Sequence, residues 1–200
     1  MNRNFSYLLL GALSLTATAT GPSITPAERE QALTYLNQTR NGVVAATKGL
    51  TQAQWTFKPA PDRWSVAEVV EHLALIEAFA NQSVFAKLAS APPPAAGWDA
   101  TKVDALVLTK VPDRSTKFQA PEPAVPTGRW SPEETLQHFL TRRSDTVAFL
   151  NSMPDLRGHV LNHPVFGPMD GYEWILAAAA HTERHTKQIL EVKADPAFPK

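Results

Sequence analysis

Four helix-start signals, each followed by a long stretch without proline, constrain the fold of this chain more than any other feature. Thr25, Ser65 and Ser131 each stand three positions before a glutamate, and Asp170 stands in the same place before Glu173. Such a hydroxyl or carboxylate accepts a hydrogen bond from a backbone N–H of the first turn, while the glutamate accepts one from the N–H of the cap residue. These signals predict helices at residues 26–48, 65–89, 132–152 and 171–193.

Four such helices in a chain of 200 residues are typical of an all-α fold, and we expect a four-helix bundle. No stretch alternates apolar and polar residues with a period of two, which indicates little or no sheet. Prolines are concentrated between the predicted helices, and the longest connection spans residues 90–130, with a short predicted helix at residues 101–110. A connection of this length suits a crossover between the second and third helices, although a lid or a mobile loop would have the same signature.

Residues 1–19 have the layout of a secretory signal peptide. Arg3 precedes an apolar run at residues 5–15, and Ala17-Thr18-Ala19 follows as a small-x-small cleavage site. The run is shorter than the roughly 20 apolar residues that cross a bilayer. We therefore expect cleavage near Ala19, one domain at residues 20–200, a secreted or periplasmic location and no stable membrane anchor after cleavage. An uncleaved anchor and a frayed first helix are the alternatives.

The composition excludes several kinds of chemistry. The 19 Lys and Arg residues balance 19 Asp and Glu residues, so the formal net charge is zero. A basic footprint is therefore missing, and we expect no nucleic-acid partner. The chain has no cysteine, which rules out disulfides, thiolate metal ligands, Fe–S clusters and a cysteine nucleophile.

Three histidines lie on helical stripes that otherwise carry apolar residues. His181 and His185 share the apolar stripe of the fourth predicted helix, and His72 lies on that of the second. Burying an imidazole without a partner costs free energy, whereas neutral imidazole nitrogens bind Zn, Ni, Fe and Cu. Three protein ligands that leave coordination positions open are the pattern of a catalytic metal. The stripes therefore predict a metal site, with hydrogen-bonded core histidines as the alternative.

Other polar residues near these stripes are expected to serve the structure. The histidine pair is not a zincin motif, because Glu183 follows His181 by two positions rather than one and points away from the pair. Glu68 and Glu71 lie near His72 in the sequence, but Glu68 is expected to act in a capping box, and neither is named as a general base.

Arg184 points away from the histidine stripe and is expected to be structural. Arg143, on the apolar stripe of the third helix, is expected either to extend its charged end to solvent or to pair with a carboxylate, with anion binding as the alternative. His163 is expected to bond locally, with an approach to the metal as the alternative.

Two segments resemble the signatures of DinB-like proteins. Residues 64–73, Trp-Ser-Val-Ala-Glu-Val-Val-Glu-His-Leu, resemble the second-helix signature, and His163-Pro-Val-Phe-Gly167 with Trp174 and residues 181–188 resembles the fourth-helix signature. The similarity runs in order over residues 25–193. It implies an up-up-down-down type of four-helix bundle, similar in fold to YfiT-like metal-dependent hydrolases. It also implies a divalent metal, commonly zinc or nickel, whose three histidine ligands correspond to His72, His181 and His185.

The resemblance leaves the reaction open, because members include thiol transferases and isomerases. Low-molecular-weight thiols are mainly cytosolic, so the predicted export fits thiol-dependent chemistry poorly. We expect a metal-dependent hydrolase or transferase that acts on an unknown small molecule. The alternatives are a non-catalytic metal- or ligand-binding bundle outside the cytoplasm, and an interaction protein with structural histidines. Bundles of this kind often dimerise, so a homodimer is a further expectation.

Overall fold

A computed structural model of the protein describes residues 23–200, so the predicted signal peptide lies outside the described residues. The helices are α1 (Pro26–Thr47), α2 (Gln52–Thr56), α3 (Val66–Phe79), α4 (Ala100–Lys110), α5 (Pro132–Ser152) and α6 (Gly171–Lys193). All four predicted capping boxes are present at the starts of the long helices α1, α3, α5 and α6. The helix starts inferred from the sequence are therefore confirmed.

The second predicted helix changes its winding partway along. After α3 the chain continues as a π-helical stretch, Ala80–Phe85, and then as one α-helical turn, Ala86–Leu88. The Asn81 side-chain amide donates to the carbonyl of Glu77 at 2.8 Å and to that of Arg142 on α5 at 3.2 Å. A polar side chain that competes for helix carbonyls is one cause of such local rewinding.

The four long helices form a bundle in which α1 neighbours α6 and α5, and α3 neighbours α5 and α6. The α1 and α6 helices run parallel, since Tyr35 contacts Glu183 and, further along both helices, Ala46 contacts Lys193. The α3 helix and its extension run parallel to α5, since Glu77 contacts Arg143 and the Phe85 ring stacks on Phe149.

The order of the helices is therefore up-down-down-up, and the up-up-down-down order implied by the resemblance is wrong. The start of α1 meets the end of α5, where Arg29 donates to the carbonyl of Leu150, so these two helices are antiparallel. Residues 48–65 are a short link and join antiparallel helices, whereas residues 89–131 are a long crossover and join the parallel pair α3 and α5. The predicted crossover between the second and third helices is thus confirmed.

The centre of the bundle contains a buried polar network around Arg143, which is 1% exposed. Its guanidinium forms an ion pair with Glu77, which is 2% exposed. It also donates to the Leu36 carbonyl at 2.8 Å, to Thr39 Oγ1 at 2.9 Å and to Thr182 Oγ1 at 2.7 Å. Of the two structural roles expected for Arg143, the structure shows the pair with a carboxylate, and the network ties all four long helices together.

A two-stranded hairpin precedes α6. Strand β1 (Val160–His163) pairs antiparallel with β2 (Gly167–Asp170), and these are the only strands within residues 23–200. The expectation of little sheet therefore holds for the described part of the chain. None of the helices in this part is both long and apolar enough to span a bilayer.

Candidate metal centre

The three predicted ligands meet between α3 and α6. The Nε2 atom of His181 lies 3.4 Å from Nε2 of His72 and 3.1 Å from Nε2 of His185, and the three ligand atoms all lie within 4.8 Å of one another. A tetrahedral zinc site with Zn–N bonds of about 2.05 Å separates its ligand nitrogens by about 3.3 Å. The spacing of the imidazoles therefore fits a single metal ion.

Two of the candidate ligands, His72 and His185, place their other ring nitrogen against a hydrogen-bond acceptor. His72 Nδ1 lies 2.8 Å from the carbonyl oxygen of Ala124, and His185 Nδ1 lies 2.8 Å from Oε1 of Gln188. An oxygen of this kind only accepts, so each Nδ1 carries the proton and each Nε2 presents a lone pair. Partners of this type orient metal-binding histidines and fix their tautomer.

The surroundings keep the three imidazoles neutral. Burial lowers the pKa of His72, against the opposing effect of the bond to Ala124. Burial is also the main cause that places the pKa values of His181 and His185 well below the ordinary value, and neighbouring histidines lower them further. Neutral imidazole is the form that binds a metal, so the ligands need not lose a proton at neutral pH.

An aromatic wall covers one side of the centre. The Trp64 ring, next to the cap residue of α3, lies 4.9 Å from the His72 ring and 6.4 Å from the His185 ring between centroids. Trp64 is half-buried, so one part of the indole packs on the ligands. This position makes the tryptophan a boundary of the candidate site as well as a packing residue.

The crossover is attached to the centre through residues that directly precede two ligands in the sequence. Glu71, before His72, is 2% exposed and accepts the N–H of Thr127 at 2.9 Å and of Gly128 at 2.8 Å. Arg184, before His185, donates to the carbonyls of Asp113 and Thr116. The sequence placed Glu71 near His72 without a role and gave Arg184 only a structural one, because their partners lie far along the chain in a segment without a periodic pattern.

The other residues considered from the sequence lie outside the three-histidine group, as predicted. Glu183 accepts from the Tyr35 hydroxyl at 2.6 Å and pairs with Lys187, and Glu68 caps α3. The Nδ1 atom of His163 accepts the backbone N–H of Val165 and of Phe166, which is the expected local bonding. Within residues 23–200, none of the three clustered imidazoles forms a hydrogen bond to a carboxylate.

Fold and site together define a four-helix-bundle protein with a three-histidine centre between two of its helices. The family model of the DinB superfamily matches residues 35–189, a range that includes all three histidines. The chain therefore belongs to the DinB superfamily, and the resemblance drawn from the two signatures is confirmed.

Similar proteins have been found in Bacillus subtilis. YuaE of strain 168, described as uncharacterized, is 26% identical over 163 residues, which cover 80% of this chain and 96% of YuaE. The structure of YfiT, described as a probable metal-dependent hydrolase with an unusual four-helix bundle topology, matches with a TM-score of 0.56 at 15% identity, covering 88% of this chain and 92% of YfiT.

A second solved structure, the four-helix bundle protein TT2238, matches with a TM-score of 0.51 at 19% identity, covering 82% of this chain and 98% of TT2238. At such low identity, both structural matches show the shared fold alone. The bundle architecture predicted from the sequence is thereby confirmed.

Proposed function

We propose that the protein binds one divalent metal ion through His72, His181 and His185, and that it is a metal-dependent hydrolase or transferase acting on a small molecule. The observation that carries the proposal is the convergence of three Nε2 atoms, with separations of 3.1 and 3.4 Å to His181. The description of YfiT as a probable metal-dependent hydrolase supports the same reaction class. Zinc and nickel are the metals that we propose first.

A divalent metal with open coordination positions supplies a Lewis acid and lowers the pKa of bound water. The protein's own residues hold the ligands and shape the space around them. Ala124 and Gln188 orient two imidazoles, and Trp64 provides an apolar wall for a substrate. Glu71 is fully engaged with the crossover, so proton transfer in our proposal falls to water or to the substrate itself.

We also propose that the protein works outside the cytoplasm on a substrate other than a cytosolic thiol. This part rests on the signal-peptide layout of residues 1–19. Detection of the processed chain in a periplasmic or extracellular fraction, with its N-terminus near residue 20, would support it.

The first test is the metal content of the purified protein, measured by elemental mass spectrometry. We expect about one equivalent in the wild type and loss of the metal in His72→Ala and His181→Ala, because two histidine ligands hold a catalytic metal poorly. His138→Ala is the matched control, since His138 lies on α5 outside the three-histidine group and stacks on Trp130, with 4.1 Å between ring centroids. A wild type that stays metal-free after incubation with zinc and nickel would contradict the proposal.

The second test separates an enzyme from a binding protein. The metal-loaded wild type and His181→Ala are assayed side by side on a panel of small esters, amides and thiol adducts. Turnover that disappears with His181 supports the enzyme, whereas a fully loaded protein without turnover favours a non-catalytic metal- or ligand-binding bundle.

A further inference from the structure

We infer that Arg114, on the crossover, is a positioning residue that fixes the tautomer of His185 through the side chain of Gln188. The inference rests on the proposed role of His185 as a metal ligand. Arg114 lies on a different segment from His185, and within the described residues no hydrogen bond joins the two directly.

The geometry links Arg114 to the ligand in three steps. The Arg114 guanidinium forms two hydrogen bonds with Glu191 on α6, from Nε at 2.6 Å and from Nη2 at 2.7 Å. This fork–fork pair sets the plane of the guanidinium. Its remaining nitrogen, Nη1, donates to Oε1 of Gln188 at 3.3 Å. The same Oε1 atom lies 2.8 Å from Nδ1 of His185.

The chemistry of these groups determines where the proton of His185 lies. A glutamine amide can present either its oxygen or its NH2 group in one direction, but arginine has only donors. The Gln188 atom that faces Arg114 is therefore the oxygen. Because the same oxygen faces His185, Nδ1 must donate, and Nε2 keeps its lone pair toward His181.

Removal of Arg114 would release this constraint. The Gln188 amide could then turn its NH2 group toward Nδ1, which would accept a hydrogen bond instead. The ring proton would move to Nε2 and point into the histidine cluster, where it blocks a metal. His72 is protected from such a change, because its Nδ1 partner is a main-chain carbonyl, that of Ala124.

The chain offers a matched control for Arg114. Arg63 also approaches Glu191, with Nη2 3.9 Å from Oε2, but within residues 23–200 it forms no hydrogen bond to Gln188. Arg63→Ala therefore removes a positive charge near the same carboxylate and leaves the amide constraint in place.

The experiment reads tautomers by long-range 15N–1H NMR of the imidazoles in the metal-free full-length protein. In Arg114→Ala we expect His185 to change from Nδ1–H alone to a mixture of tautomers, while His72 stays unchanged and Arg63→Ala resembles the wild type. Zinc affinity, measured by competition with a chromogenic chelator, should fall about tenfold in Arg114→Ala. Arg114→Lys, which keeps a donor at this place, should retain most of the wild-type behaviour.

A second background tests whether Arg114 acts through the amide. Gln188→Glu presents only oxygens, so it cannot turn a donor toward His185. In this background Arg114→Ala should leave the His185 tautomer unchanged. An equal loss of zinc affinity in both backgrounds would show a merely structural role and overturn the inference, as would a pure Nδ1–H tautomer in Arg114→Ala with unchanged zinc affinity. Because tautomers are read without metal, this result is independent of whether the wild type binds metal or turns over a substrate.

Discussion

At the scale of single residues, Arg143 is a buried charge that depends on hydrogen-bond partners from the neighbouring helices. It is 1% exposed and bonded to Glu77, Thr39 and Thr182 on three neighbouring helices. A buried ion pair adds little net stability over an apolar pair of the same shape, but removal of one partner leaves an uncompensated charge. We therefore expect the network to contribute more to which helix faces meet than to net stability.

We predict that Arg143→Met lowers the free energy of unfolding by about 3–5 kcal/mol, because Glu77 is left buried without its cation. The neighbouring Arg142 pairs with Asp145 at the surface, at 3.1 Å, and Arg142→Ala should change stability by less than about 1 kcal/mol. Urea unfolding of both variants measures the difference. Equal effects of the two substitutions would contradict the prediction.

The residue scale also shows how far the sequence predicts the site. His72, His181 and His185 could be named because helical periodicity places them on apolar stripes. Glu71, Gln188 and Arg114 could not be assigned, since their partners depend on where the crossover lies. Its path over the bundle is a property of the whole fold, and no local pattern in residues 111–130 reports it.

At the scale of elements, the helix starts could be predicted because a capping box is a local interaction over four residues. The π-helical stretch and the helix directions could not, because they depend on contacts between segments distant in the sequence. The capping box of α6 has an additional feature. Glu173 is fully buried, its Oε2 accepts the N–H of Asp170 at 2.7 Å, and its Oε1 has no hydrogen-bond partner among residues 23–200.

Several charged groups surround this capping box. Arg157 is the cation among them and forms ion pairs with Glu28, Asp104 and Asp170. Its Nη1 atom also lies 3.7 Å from Oε1 of Glu173. Burial, and next the charge of Asp170, raise the pKa of Glu173 to about 8. The folded protein therefore keeps this carboxyl protonated in a pH range where the unfolded chain ionises it.

We predict that Glu173 makes the protein less stable as the pH rises from about 4.5 to about 8. The unfolded state binds fewer protons than the folded state in this range, so stability falls, at up to about 1.4 kcal/mol per pH unit. Glu173→Gln keeps an acceptor for Asp170 but cannot ionise. In urea unfolding at several pH values, the free energy of unfolding of the variant should rise relative to that of the wild type up to about pH 8 and not beyond. A difference in stability that stays constant with pH would contradict the assignment.

At the scale of the whole molecule, the candidate metal centre joins α3 in the first half of the chain to α6 at its end. His72 and His181 are separated by 109 positions. The centre therefore exists only in the assembled bundle, and a metal bound there stabilises the folded state without comparable binding to the unfolded chain.

We predict that zinc raises the melting temperature in a concentration-dependent manner. At a free concentration of 100 times the Kd, the stabilisation is about 2.7 kcal/mol, which corresponds to about 5–10 °C for a domain of this size. Differential scanning calorimetry with buffered zinc measures the shift. His181→Ala should show none, and a similar shift in that variant would place the metal elsewhere.

The attachment of the crossover beside the candidate ligands has a consequence for where the chain can accept insertions. Asp113 and Thr116 are held by Arg184, and Thr127 and Gly128 by Glu71, whereas Phe118 between them is 52% exposed. Loop closure costs little extra free energy as a loop lengthens. Insertions between residues 117 and 121 should therefore lengthen this exposed part of the crossover while its attachments to Arg184 and Glu71, and with them the positions of the neighbouring histidines, stay in place.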